Sequence, residues 1–84
     1  MNTSTLETAR ASEVVVSDTT LKVWLKDGRT ISAPLAWFPR LLNATPEQRS
    51  NFELFGDGEG IHWPEADEDL SVAGIFRGVL APGA

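Results

Sequence analysis

The stretch LKVWLKDGRTISAP, residues 21–34, constrains the fold more than any other part of the chain. Leu21, Val23 and Leu25 alternate with Lys22, Trp24 and Lys26, the period of two that a half-buried strand requires. Asp27-Gly28 permits a tight reversal, and RTISAP then resumes the extended pattern. The register of this hairpin follows from its apolar face. A two-residue loop would pair Lys26 with Arg29, set Val23 opposite Ser32 and leave Ile31 on the face of the lysines. A three-residue loop, Lys26-Asp27-Gly28 with Gly28 left-handed in a bulge, instead brings Ile31 opposite Val23 and Ala33 opposite Leu21. The second arrangement makes one face apolar throughout and is the one expected. Upstream, EVVVSD supplies another β-branched run, so the chain opens on antiparallel strands.

Downstream the periodicity changes. Pro34 ends the strand, and Leu35, Phe38, Leu41 and Leu42 fall at near-helical spacing, which predicts a short helix over about 37–43 with Pro39 confined to its first turn. Thr45-Pro46-Glu47-Gln48 is a helix start in its own right, with a capping threonine, a proline suited to the first helical position and a glutamine where a capping box needs one. That helix is expected to run to about Phe52. ELFGDGEGIHW reads as two short strands around a glycine-rich turn, and pairing Gly56 with Ile61 would align Leu54 with Trp63 and Phe55 with His62. Ser71 can cap a last helix in VAGIFRG. An 84-residue chain has room for one core. The expectation is a small single α+β domain over residues 12–80, with a frayed N-terminus at 1–11 and a short tail at 81–84.

Charge divides the chain. Through residue 50, six basic side chains (Arg10, Lys22, Lys26, Arg29, Arg40, Arg49) face five acids, whereas beyond it seven acids (Glu53, Asp57, Glu59, Glu65, Asp67, Glu68, Asp69) face only Arg77. A phosphate backbone is gripped by basic surfaces, so a chain of net charge −5 is poorly suited to holding DNA or RNA unaided and better suited to a basic partner. With no cysteine, neither a disulfide nor a thiolate metal site can form. No stretch has the roughly 18 apolar residues that span a bilayer, and MNTSTLETARASE has no apolar core of a secretion signal. A cytoplasmic location is expected.

GIHWPEADEDLSV, residues 60–72, concentrates the chemistry: the only histidine, a tryptophan, four carboxylates and a serine. His62 with Asp57, Glu59, Asp67 and Asp69 offers metal-ligand chemistry. However, a calcium loop begun at Asp57 would place Ile61 at its fifth, ligating position, and one histidine without cysteine falls short of a zinc set. His62 as general base, oriented by Asp67 or Asp69, with Ser71 as nucleophile, would be a triad on contiguous sequence without a scaffold to set its geometry. GDGEG lacks the lysine and Ser/Thr of a phosphate-binding loop. No cofactor or metal is therefore expected, and no enzymatic activity. Local roles absorb most of the stretch: Ile61 and Trp63 enter the core, Pro64 stops strand pairing, and Asp67, Glu68 and Asp69 precede the last helix near its positive end. Glu65, Asp67, Glu68 and Asp69 together exceed what one cap and one dipole need.

Residues 27–78 resemble the small bacterial domain-of-unknown-function family numbered 2442. The likeness rests on Asp27-Gly28, the apolar segment around Pro34, Pro39-Arg40-Leu41, Ala44-Thr45, Gly60-Ile61-His62-Trp63-Pro64, and Asp67-Glu68-Asp69 with Ser71. The resemblance implies an α+β module of bacterial or phage origin, found alone, fused to a helix-turn-helix, or encoded beside another small domain in a toxin–antitoxin-like arrangement. It implies no catalytic residue.

The leading expectation is a non-enzymatic, acidic protein-interaction module, antitoxin-like, that meets a basic partner through Glu65, Asp67, Glu68 and Asp69 with apolar contact from Trp63 or Trp24. Against it stands a structural ion-pair network in which Arg29 and Arg40 answer the acids within the domain. Two other readings are an oligomeric nucleic-acid-associated regulator using Lys22, Lys26, Arg29 and Arg40 as a basic face, and a His62-centred hydrolase or metal-dependent enzyme.

Overall fold

A computed structural model describes residues 9–77. Within them, β1 (Ala11–Val16), β2 (Thr20–Leu25) and β3 (Thr30–Pro34) form one antiparallel sheet in the order β1-β2-β3. A 3-10 turn at Leu35–Trp37 and two short helices, α1 (Pro39–Leu42) and α2 (Pro46–Ser50), lead to a second antiparallel sheet of β4 (Glu53–Phe55), β5 (Gly60–Trp63) and β6 (Glu68–Ser71). Helix α3 (Val72–Arg77) follows β6 directly. The fold is the expected α+β domain, but its packed part begins earlier than expected: Ala9 and Ala11 are buried, so residues 9–11 belong to the body of the domain. Residues 1–8 and the tail at 81–84 lie outside the described residues.

The first hairpin has the bulged register. Val23 pairs with Ile31 and Leu21 with Ala33, the Leu25 amide donates to the Arg29 carbonyl across the three-residue loop, and Gly28 has φ +96°. Val14, Leu21, Val23, Leu25 and Ala33 consequently turn inward against Leu35, Phe38 and Leu41. The other face of this sheet, with Val15, Lys22 and Trp24, points away from the core.

The helix expected over 37–43 is divided. Phe38, at φ −126° and ψ 82°, separates the 3-10 turn from α1, because the residue before a proline is excluded from helical geometry by the pyrrolidine ring. Phe38 itself is fully buried. The capping box forms as expected: the Gln48 amide donates to Thr45 Oγ1, and the Thr45 amide to Gln48 Oε1. Helix α2 stops at Ser50, two residues short of the expected end.

Two expectations for the second half are corrected. In the β4–β5 hairpin Leu54 pairs with Ile61 and Phe55 with Gly60, so the partners slip by two from those the sequence suggested, while every residue keeps its face. The turn needs Gly56, Asp57 and Gly58 all at positive φ, and Gly60 must lie under Phe55, since a Cβ there would come within 2.2 Å of the ring. Second, Glu68 and Asp69 are not helix-flanking residues but part of β6, which pairs with β5 as Trp63–Glu68, His62–Asp69 and Ile61–Leu70. Glu68 and Leu70 point inward while Asp69 and Ser71 point outward. The cap survives the correction: Ser71 Oγ accepts from the Gly74 amide at 2.8 Å.

The two sheets meet where the Ala11 amide donates to the Gly58 carbonyl at 2.7 Å. Gly58 lies so close to β1 that a Cβ would stand 2.5 Å from the Ala11 oxygen, and at φ +91° glycine is required on both grounds. Trp63, Ile61 and Leu70 complete the core from the second sheet.

Candidate interaction surface

The acids of the second half fall into three groups. Asp57 and Glu59, in the β4–β5 turn, are answered from the first sheet. Lys26 Nζ lies 2.7 Å from Asp57, and Arg10 bridges Asp57 at 3.3 Å and Glu59 at 3.4 Å. The Lys26 ammonium, with help from Arg10, holds the Asp57 carboxyl below the usual carboxylate range. An ion-pair network thus exists, but it is built by Arg10 and Lys26, not by the Arg29 and Arg40 that the sequence suggested. Arg29 pairs with Asp27, while Arg40 donates to the Asp67 carbonyl at 2.7 Å.

Glu68 forms the second group alone. Its side chain is 1% exposed on the inner face of β6; Oε1 accepts from the Asp69 amide, and Oε2 is buried with no hydrogen-bond partner among the described residues. Burial pushes its carboxyl above the ordinary glutamate value of 4.5. Because the folded chain binds this proton more readily than the unfolded chain, Glu68 lowers stability as pH rises from about 4.5 through the raised value. Glu68→Gln is therefore expected to be more stable than the wild type by about 1–2 kcal/mol at neutral pH. The gain should vanish below pH 4.5. Urea titrations at the two pH values check it, and an equal difference at both would remove the linkage.

The third group is open to solvent. Glu53 on β4 and Glu65 and Asp67 in the β5–β6 turn are exposed and make no ion pair among the described residues. Asp67 sits at φ +55°, a left-handed conformation in which its carbonyl reaches Arg40. Asp69 is exposed beside His62, whose Nδ1 it contacts. Along the outer face of the second sheet, strand pairing sets Glu53, His62 and Asp69 in one cross-strand row.

Of the residues singled out in the sequence as partner-binding, Trp63 and Glu68 are buried at 0% and 1% exposure, so neither side chain is available at the surface. Trp63 instead donates from Nε1 to the Arg49 carbonyl at 2.9 Å and packs on Phe52. Glu65, Asp67 and Asp69 are exposed, and Trp24 is half-buried on the outward face of the first sheet, where Lys22 lies over its ring at 5.5 Å. Val15, Ser17, Thr20, Lys22 and Trp24 line a shallow groove of about 310 Å³ there, on a different sheet from the acids. Sequence reasoning missed Glu53, Leu54 and Phe55 as surface. Leu54 and Phe55 are 38% and 50% exposed, although their alternation had implied a core role for Leu54.

The structure brings His62 and Asp69 together but gives Ser71 to the helix cap. Among the described residues no group of three or more His, Asp or Glu side chains is placed to hold a metal ion. The cations proposed for a basic face are dispersed: Lys26 on Asp57, Arg29 on Asp27, Arg40 on a backbone carbonyl and Lys22 over Trp24. Among the described residues no helix is long and apolar enough to cross a membrane.

A crystal structure of a protein of unknown function from Rhodospirillum rubrum is similar to this chain with a TM-score of 0.74 and 30% identity, covering 89% of this chain and 93% of that one. The solution NMR structure of an uncharacterized protein from Chromobacterium violaceum shares the fold with a TM-score of 0.75 at 21% identity, over 94% of this chain and 74% of that one. No curated protein matches. The family model described as protein of unknown function, DUF2442, matches residues 11–81, which take in both sheets and all three helices, and the chain belongs to that family.

Proposed function

We propose that the chain is a non-enzymatic interaction module of the cytoplasm that binds a basic partner protein through the carboxylates its own cations leave open: Glu65, Asp67 and Asp69, with Glu53 beside them. In its most specific form this is the antitoxin-like half of a pair with a small basic protein. One observation carries the reading. Arg10 and Lys26 are committed to Asp57 and Glu59, and Glu68 is buried, yet the carboxylates of Glu53, Glu65 and Asp67 stay exposed with no ion pair among the described residues, Arg40 reaching only the Asp67 carbonyl. Such an uncompensated surface steers and orients an oppositely charged protein. It also contributes little to stability, so it can be altered without harm to the fold.

The test is charge reversal at the turn. A Glu65→Lys/Asp67→Lys variant is expected to melt within a few degrees of the wild type and to lose a stoichiometric basic protein that the tagged wild-type chain retains from lysate of its source cells. If wild type and variant retain the same proteins, these acids only solubilise the domain.

A further inference from the structure

We propose that β4 is a docking edge, on which an extended segment of a basic partner protein adds as a fourth strand beside β4, with an apolar side chain against Leu54 and a lysine or arginine against Glu53. The proposal rests on the basic-partner reading above and assigns it a place and a geometry. Sheet edges present unpaired backbone groups, and proteins normally blunt them with lysine, proline, bulges or a covering element. The other edges of this fold are treated in that way. Strand β1 carries an irregularity between Ala11 and Glu13, and its Ala11 amide is tied to Gly58. Strand β3 ends in Pro34 and lies against α3, with Arg29 over Phe76. Strand β6 runs straight into α3, whose first amide, that of Val72, donates to the Glu59 carbonyl.

Strand β4 has none of these devices among the described residues. Its sequence, Glu53-Leu54-Phe55, holds neither lysine nor proline, its pairing with β5 is regular, and all three residues are exposed. Leu54 faces inward, on the side of Ile61 and Trp63, yet it is 38% exposed while those two are fully buried. The core therefore has an open lip along β4. An added strand would close it, because its inward side chain would fall directly across from Leu54. On the outer side Phe55 lies over Gly60, half exposed, beside the Glu53–His62–Asp69 row.

Charge complementarity chooses the occupant. The three strands of this sheet carry Glu53, Glu68 and Asp69 and no lysine or arginine. A second copy would bring the same acids and another net charge of −5 to the edge, which like-charge repulsion across a strand pair disfavours. A segment alternating basic and apolar residues meets both faces, with its main chain supplying the affinity, as in strand addition generally.

The experiment uses the full chain and a labelled eight-residue peptide alternating lysine with valine, and a control in which proline replaces each valine. Saturable binding of the first peptide, slowed amide exchange confined to residues 53–55, and at least a tenfold loss of affinity in both Glu53→Lys and Leu54→Lys are expected, with melting temperatures of the two variants close to wild type. Equal binding of the proline peptide, or exchange and affinity changes that follow Glu65→Lys/Asp67→Lys instead, would overturn the edge and leave the acidic-surface reading standing. If neither peptide binds, both readings fall. Protection, in the peptide-free chain, of the β4 amides that point away from β5 would also overturn the proposal. It would assign the edge to a second copy if sedimentation gives a dimer, or to residues 1–8 if their removal abolishes the protection.

Discussion

Trp63→Ala is expected to cost about 3–5 kcal/mol and to lower the melting temperature by at least about 12 °C. The Trp63 side chain ties the second sheet to the helical segment. Its ring is fully buried, it packs on Phe52 at a centroid distance of 6.5 Å, and its Nε1 donates to the Arg49 carbonyl at 2.9 Å. It therefore joins β5 to the end of α2 and the segment that follows. Truncation would open a large cavity under the second sheet and orphan a buried carbonyl in the same step. For a domain whose total stability is of order 5–15 kcal/mol, that loss takes a large share of the margin. Trp63→Phe separates the two parts: it keeps an aromatic ring in the site and loses the N–H, so a loss of about 1–2 kcal/mol is expected. Circular dichroism during urea unfolding is the suitable measurement, since the substitution removes one of three tryptophan reporters. An alanine variant melting within about 3 °C of wild type would contradict the placement of Trp63 in the core.

What the sequence made legible depended on how local the governing physics is. The first hairpin was readable because an alternating pattern and a loop of defined residue type both bear on the same few positions, and only one register makes the inner face apolar. The Thr45–Gln48 capping box was readable for the same reason, as its partners are three residues apart. The second hairpin was not, because a two-residue slip of partner keeps every side chain on its face, so hydrophobic pattern cannot distinguish the registers. Strand β6 was hidden by its chemistry. Its inward positions are Glu68 and Leu70, and a carboxylate stands where the alternation calls for an apolar residue. The surviving signal was Leu70 spaced two from Glu68 after the turn-forming Pro64, which a run of acids masks.

The candidate surface was half legible. That the second half carries surplus acid follows from composition, but which acids are surplus does not. Lys26 and Arg10 reach Asp57 across 31 and 47 residues of sequence, and no local rule reports such pairs. The same limit applied to Trp63, where adjacency to the acids suggested surface and the sheet placed it inside. Edge position produced the opposite error at Leu54: its inward alternation is genuine, but among the described residues no strand lies on its outer side to cover it.

Arg49 is the residue whose role was least visible in advance, and Arg49→Met is expected to cost about 3 kcal/mol. A lone arginine near the end of a short helix reads as a solvated charge, yet this one is 8% exposed. Its Nε donates to the Leu41 carbonyl and one guanidinium nitrogen to the Leu42 carbonyl, both at 2.9 Å, while the other reaches Asp18 at 3.1 Å. Leu41 and Leu42 end α1, where the Leu41 carbonyl also accepts from the Ala44 amide at 3.1 Å, and the planar fork adds donors to both carbonyls from the next helix. Methionine preserves much of the aliphatic stem and removes the donors, so its effect reports on the hydrogen bonds more than on packing. The ion pair contributes little by comparison, because the Asp18 side chain is 93% exposed. Asp18→Asn should accordingly leave the melting temperature nearly unchanged, whereas Arg49→Lys, a single ammonium that cannot reproduce the fork, should fall between the two. If Asp18→Asn instead matches Arg49→Met, the charge pair rather than the carbonyl clamp holds α1 to α2. The expected order places the clamp directly behind Trp63, whose indole bonds to the backbone of Arg49 itself. Losing either residue should therefore weaken the other's contacts, and the double variant should lose less than the sum of the two single losses.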